Sequence, residues 1–348
     1  MVDAKKPRPS LHNVAQRAGV SPATVSRVLN NTAPVRDGVR LRVLAAMNEL
    51  GYVPPSGRIA LRAIENAIAF LIPDILNPFF AEVLRGVQDE ASVAGFVPVL
   101  YDSTEAPQRE RQFLQMFANQ PMRGIILCGS RLSPTELLSL CHQDCAPMVV
   151  INRSVHHSRV ACILTDLEGG TWRATRHLLD LQHTRIGFLS GPITSEQSQA
   201  RRCGIERALT EAGLTLRPEL CPASNPSVDG GFQAMSALLA LPHANGPTAV
   251  IAYNDLMALG VLHAIRVHHL RVPEDISVVG IDDVAIAAHS NPPLTTITQP
   301  KYRMGRLAMQ VLHRMIQGHP PPEDGYMLME SALIVRESTA LANNGAPR

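Results

Sequence analysis

The apolar positions of this chain follow one rhythm near its start and another over the rest. Leu11, Val14, Ala15 and Ala18 recur at three- and four-residue spacing and form the stripe of a short helix. Ser10 stands where it can cap that helix, and Gly19 where a left-handed residue stops it. Ser21 then caps a second helix with Pro22 at its first position, and Val25, Val28 and Leu29 point inward from it. A third helix, Asp37 to Leu50, buries Val39, Val43, Met47 and Leu50 and ends at Gly51. From Asn66 the pattern changes to short apolar runs between helical stretches. Strands are predicted at 67–72, 96–101, 124–128, 148–152, 186–190, 249–252, 277–281 and 294–298, with a helix over 79–94. Such alternation implies parallel sheets covered by helices, and a stretch this long predicts two lobes with a cleft between them.

Charge separates the same two regions. The first 63 residues carry ten Lys and Arg against three Asp and Glu, a net +7, whereas the remainder carries a net −5. A basic head on a mildly acidic body suggests a polyanion-binding module joined to something else. The head's spacing, helix, glycine turn, helix, is the geometry that seats a short helix in the DNA major groove. The outward residues of the second helix are Pro22, Ala23, Ser26, Arg27 and Asn30. Arg27 has the donors for a guanine edge, Ala23 fits a thymine methyl, and Thr24 and Ser26 suit phosphates. With Ser10 and Ser21 at the helix starts, these form the candidate DNA-binding set.

The run Leu11-His-Asn-Val-Ala-Gln-Arg-Ala-Gly-Val-Ser-Pro-Ala-Thr-Val-Ser-Arg-Val-Leu-Asn30 resembles the head of the lactose-repressor/galactose-repressor family. Asn13 and Arg36 depart from the family's usual Asp and Ser. The stretches Tyr253–Gly260, Pro273–Asp283 and Pro292–Gln299, and Arg201 followed by Gly204, are similar to family hallmarks in the same order. The resemblance implies a helix-turn-helix head on an α/β, two-lobed body like the periplasmic binding proteins. It places the head at 1–57, a hinge at 58–65, the body at 66–341 and a tail at 342–348. The N-lobe would span about 66–164 and 297–329, and the C-lobe about 165–296 and 330–341. Leu61 occupies the place of the leucine that wedges into the minor groove.

Open α/β sheets bind ligands beyond the carboxyl ends of their strands, so polar residues just after strands are the candidates in the body. They are Asn77 with the apolar walls Phe79 and Phe80, Asn152 and Arg153, Asn254, Asp282 and Gln299; the resemblance adds Arg201. Amides, carboxylate and guanidinium suit sugar hydroxyls. Arg153 and Arg201 against Asp282 predict a pocket that leans positive and favours an acidic sugar over a neutral one.

Other classes fit less well. A sugar-transport protein would share the body but needs a secretory leader and no basic head; Met1–Pro9 has no apolar stretch after its charges, so a cytoplasmic location is expected. A sugar-metabolising enzyme is the second alternative, but no GxGxxG follows the first strand and no phosphate-cradling GxxxxGK[ST] occurs. The six cysteines form no CxxC pair, and Cys141-His142 with Cys145 lacks a second ligand pair, so neither metal nor cofactor is expected. The tail lacks leucine heptads, which predicts a homodimer reading a pseudo-palindromic operator under the control of a small sugar or sugar-acid effector.

Overall fold

A computed structural model describes residues 10–30, 35–50, 52, 66–119, 122–140, 146–192, 195–242, 244–322 and 325–343. Leu61, the hinge at 58–65, the Cys141–Cys145 cluster and most of the tail lie outside the described residues, as does the Asn30 side chain. The chain divides into a small head and a body that begins at Ala67.

The head holds helices α1 (Leu11–Ala18), α2 (Pro22–Asn30) and α3 (Asp37–Leu50). Ser10 and Asn13 cap α1 reciprocally: the Asn13 amide donates to Ser10 Oγ and the Ser10 amide to Asn13 Oδ1. Gly19 ends α1 at φ 66°, a conformation open cheaply only to glycine. The Thr24 amide donates to Ser21 Oγ, which starts α2. Val14, Ala15, Val25, Val28, Val43 and Ala46 close the core, with Met47 and Leu50 packed at its edge. The inward face of α3 therefore centres on Val43 and Ala46; Val39 is only half-buried.

The body contains β1 (Ala67–Ile72), α4 (Pro78–Ala94), β2 (Val97–Asp102), α5 (Pro107–Asn119), β3 (Gly124–Cys128), α6 (Pro134–Leu140), β4 (Met148–Ile151) and β5 (Val160–Thr165). The chain then forms α7 (Leu167–Asp180), β6 (Ile186–Leu189), α8 (Glu196–Glu211), α9 (Val228–Leu239), β7 (Ala249–Ala252), α10 (Asp255–Val267), β8 (Ser277–Asp282) and β9 (Thr295–Thr298). It ends with α11 (Lys301–Ile316), β10 (Tyr326–Met329) and β11 (Ala332–Ile334). One sheet is wholly parallel in the order β10-β5-β4-β3-β1-β2. The other runs β11-β9-β8-β7-β6, with only β11 antiparallel. A single parallel bridge from Ser190 to Ala223 stands beside β6 where β2 stands beside β1, so the two lobes share one winding plan.

Strands β1, β3, β4, β6, β7 and β8 are buried along their whole length, which is why they read as unbroken apolar runs. Strands β5, β10 and β11 escape the rhythm seen in the sequence. The chain reaches β5 from β4 through a loop with no helix, and β10 and β11 are short, half-exposed segments.

Helices pack across these sheets in pairs that glycine holds close. A Cβ at Gly231 of α9 would fall 2.0 Å from the Met257 carbonyl, and one at Gly260 of α10 only 1.9 Å from the Val228 carbonyl. The α4–α11 crossing is built the same way, with Gly86 against the Tyr302 carbonyl and Gly305 against the Val83 carbonyl. An alanine inside a helix ordinarily adds stability of about 1 kcal/mol over glycine. Here the added methyl must push two backbones apart, which costs roughly 1–3 kcal/mol. Gly231→Ala is accordingly expected to lower the thermal midpoint by several degrees, at about 2–4 °C per kcal/mol for a domain this size. A melt followed by circular dichroism checks this, and a raised midpoint would show that the contact is not limiting.

Candidate functional site

The carboxyl ends of both sheets face one narrow cavity. Asn77, Phe79 and Phe80 follow β1, Asn152 follows β4, Asn254 follows β7, Asp282 ends β8 and Gln299 follows β9; with Arg201 of α8, all eight line it. Arg153 does not. Asn152 sits at φ 56°, and this left-handed turn sends the next side chain away from the cavity. Three further polar lining residues, Glu105, Arg131 and Gln197, were not singled out from the sequence, and Tyr253 stands in the post-strand run Tyr253–Asp255. Arg131 and Tyr253 obey the same strand-end rule, following β3 and β7, and Gln197 lies one helical turn before Arg201. Glu105 obeys that rule too, three residues past β2 on a loop in which Thr104 and Glu105 adopt φ 50° and 57°.

Some of these groups serve the fold before they serve a ligand. Asn77 and Asn254 are N-caps, accepting from the Phe79 and Met257 amides at 2.9 Å each. The other end of Asn254 donates to the Pro226 carbonyl at 3.2 Å, so both its polar atoms are occupied. The remainder form a directed chain. The Thr165 amide donates to Asn152 Oδ1 (3.0 Å), Asn152 Nδ2 to Gln299 Oε1 (3.2 Å), and Gln299 Nε2 to Asp282 Oδ1 (2.7 Å). Arg201, with 2% of its surface exposed, lies 3.9 Å from the same carboxylate oxygen and 4.2 Å above the Tyr253 ring. Its Nε has no partner among the described residues.

The charges balance, which corrects the expectation of a positive pocket. Arg131 is gripped by both oxygens of Glu105, its NH2 donating at 2.8 Å. Burial opposes its charge, but Tyr253, Glu105 and Glu110 outweigh that and leave its pKa raised. Two guanidiniums thus face two carboxylates, and the third arginine, Arg153, is turned elsewhere. Burial pushes Asp282 up to about 6, while Arg201, Lys301 and Gln299 work the other way. Lys301 donates to the carbonyls of Asp282 and Asp283 at 2.7 and 2.6 Å, which pins the strand end at its left-handed φ values of 118° and 52°.

On the head, Ser10, Ser21, Pro22, Ala23 and Arg27 are exposed, while Thr24 and Ser26 are half-buried. The Thr24 hydroxyl bonds the Ser21 hydroxyl at 2.9 Å. One face of α2 therefore offers an arginine beside small residues, the surface a groove-reading helix needs.

Known proteins share both parts. Residues 10–55 match the family described as "Bacterial regulatory proteins, lacI family", and residues 175–339 match "Periplasmic binding protein-like domain". The repressor CytR of Escherichia coli is 35% identical over 331 residues, covering 95% of this chain and 96% of CytR. The repressor PurR of Photobacterium profundum is 32% identical over 334 residues, covering 94% and 98%. A solved complex of the regulator CelR with cellobiose superposes with a TM-score of 0.71 at 33% identity, covering 95% of this chain and 100% of CelR. The lac repressor dimer bound to operator and the anti-inducer ONPF gives 0.69 at 27%, covering 96% and 100%. The chain belongs to the LacI family of bacterial regulatory proteins.

Behind the cavity, Asp255 is wholly buried; Thr296 Oγ1 and the Val284 amide donate to it at 2.6 and 2.9 Å. Burial, followed by the neighbouring Asp282 charge, pushes its pKa up to about 8. The folded protein then keeps a proton that the unfolded chain releases near pH 4. Stability from this group is complete below that pH and is lost as pH rises through about 8. Asp255→Asn, which can accept from Val284 and donate to Thr296, is expected to flatten the fall in melting temperature between about pH 5 and 8. Calorimetric melts across that range test it; an unchanged slope would show that Asp255 titrates normally.

Proposed function

We propose that this protein is a transcriptional repressor that binds operator DNA through α2 as a homodimer. In this reading a small, neutral, polyhydroxylated effector of the sugar class binds between the lobes and shifts operator affinity. The observation that carries the effector reading is the charge balance of the cavity. Arg131 and Arg201 face Glu105 and Asp282, so an acidic ligand would leave a carboxylate uncompensated, whereas hydroxyls can both donate to the carboxylates and accept from Arg201 Nε. Phe79, Phe80 and Tyr253 supply apolar walls for the faces of a ring. CelR, solved with cellobiose, is a precedent for a sugar in such a body.

The head supports DNA reading through Arg27, the long donor on the exposed face of α2. The effector couples to it through differential affinity for two lobe arrangements, an effect typically of about 1–3 kcal/mol. The repressor relatives favour a regulator over an enzyme. Among the described residues no helix is long and apolar enough to cross a membrane.

Two measurements test the reading. Selection of bound sequences from random duplex DNA should return a pseudo-palindrome, and Arg27→Ala should lower preference for it by roughly 1–3 kcal/mol, about 5- to 150-fold. Unaltered selectivity would remove α2 from the interface. Calorimetric titration with neutral mono- and disaccharides beside gluconate-like acids should give binding among the neutral compounds, and binding confined to the acids would overturn the effector class.

A further inference from the structure

Arg153 is 4% exposed, and its environment is unusual for a cation. Its NH1 donates to the Ser130 carbonyl at 3.0 Å, and its Nε has no partner among the described residues. Its NH2 lies 3.8 Å from Glu196, the first residue of α8. Arg153 and Ser130 belong to loops of the parallel N-terminal sheet, whereas α8 packs with the other lobe. The second oxygen of Glu196 accepts from the Ser154 amide at 3.3 Å. One carboxylate therefore holds two groups of the opposite lobe.

The residue beside it reaches the cavity. Gln197 offers its carbonyl and its side-chain oxygen to Arg201 NH1 at 3.2 and 3.4 Å, and the Tyr253 hydroxyl lies 3.5 Å from that side-chain oxygen. Its amide nitrogen packs so closely on Gly129 that a Cβ there would meet it at 3.1 Å. The first turn of α8 thus meets the N-lobe on two sides, with Glu196 on the outer side and Gln197 on the cavity side. Glu196 and Arg153 line a neighbouring open groove, and neither lines the effector cavity.

We infer that Glu196 is a positioning residue, an electrostatic latch that sets how far the lobes close. The physical reason lies with its partner. A buried guanidinium that loses its counter-charge must find water or another acid. The other carboxylate that feels Arg153 is Glu110, which already accepts from the Ser130 hydroxyl and the Arg131 amide. Removing Glu196 takes away the carboxylate that ties the Arg153–Ser154 loop to the first turn of α8, so water from the groove both residues line hydrates Arg153, and the loop and α8 part there. The inference rests on the cleft being the regulatory site for its consequence, but not for its test.

Hydrogen exchange on the full-length protein, without DNA or sugar, reads the latch directly. In Glu196→Ala, peptides covering Asn152–Val155 and the first turn of α8 should exchange about tenfold faster, with β3 and β7 unchanged. In the Arg153→Met background, where no buried charge awaits hydration, the same change should have much less effect. No acceleration, acceleration spread through both sheets, or equal acceleration in the two backgrounds would each overturn the latch. The repressor reading, tested with DNA and sugars, would stand in any of those cases.

Discussion

The body depends on a one-way chain of hydrogen bonds that begins in one lobe and ends in the other. Thr165 donates to Asn152, Asn152 to Gln299 and Gln299 to Asp282, beside which lies Arg201. Each amide has its donor on one side and its acceptor on the other, so no member can reverse without orphaning a buried neighbour. Buried polar groups are expensive to leave unmatched, and a chain satisfied at every link defines one arrangement where an apolar cleft would tolerate several. Asparagine at 152 matters to this polarity. A carboxylate there could accept from Thr165 but would have no proton to offer Gln299.

Around that chain, the backbone aims the side chains. Thr104, Glu105, Asn152, Asp282 and Asp283 all have positive φ, and all lie at or near strand ends facing the cavity. Such conformations cost about 1–3 kcal/mol each outside glycine and persist only where surrounding contacts enforce them. Lys301 does this for Asp282 and Asp283, and Arg131 does it for Glu105. The strain is local and the enforcing bonds are buried, which makes the cavity's charge pattern a property of the folded backbone and not of flexible side chains.

Much of this was legible from residue order alone. Apolar runs located eight strands, six of them covered on both faces, and the capped, glycine-stopped pattern of Ser10–Gly19 located α1 from local chemistry. The strand-end rule gathered seven of the nine proposed effector contacts around one cavity because doubly wound sheets open there, and the family resemblance added Arg201. What stayed hidden depended on the third dimension. Arg153 directly follows a qualifying residue, but the left-handed turn at Asn152 reverses its direction, and sequence carries no sign for that. Glu105 lies three residues past β2, beyond the polar positions first taken up, and β10 and β11, though apolar, are only four and three residues long and half-exposed. The pocket's charge was misjudged for the same reason: Glu105 and Arg131 were both unseen and cancel, while Arg153 was counted.

The glycine contacts bear on how such a body could be rebuilt. Because Gly231 and Gly260 each seat against the other helix's backbone, neither helix can be exchanged alone unless the replacement carries the matching gap at the matching height. The smallest interchangeable part of this sensor is therefore a helix couple, α9 with α10 or α4 with α11. Chimaeras assembled from relatives would need their seams placed in the loops outside those couples.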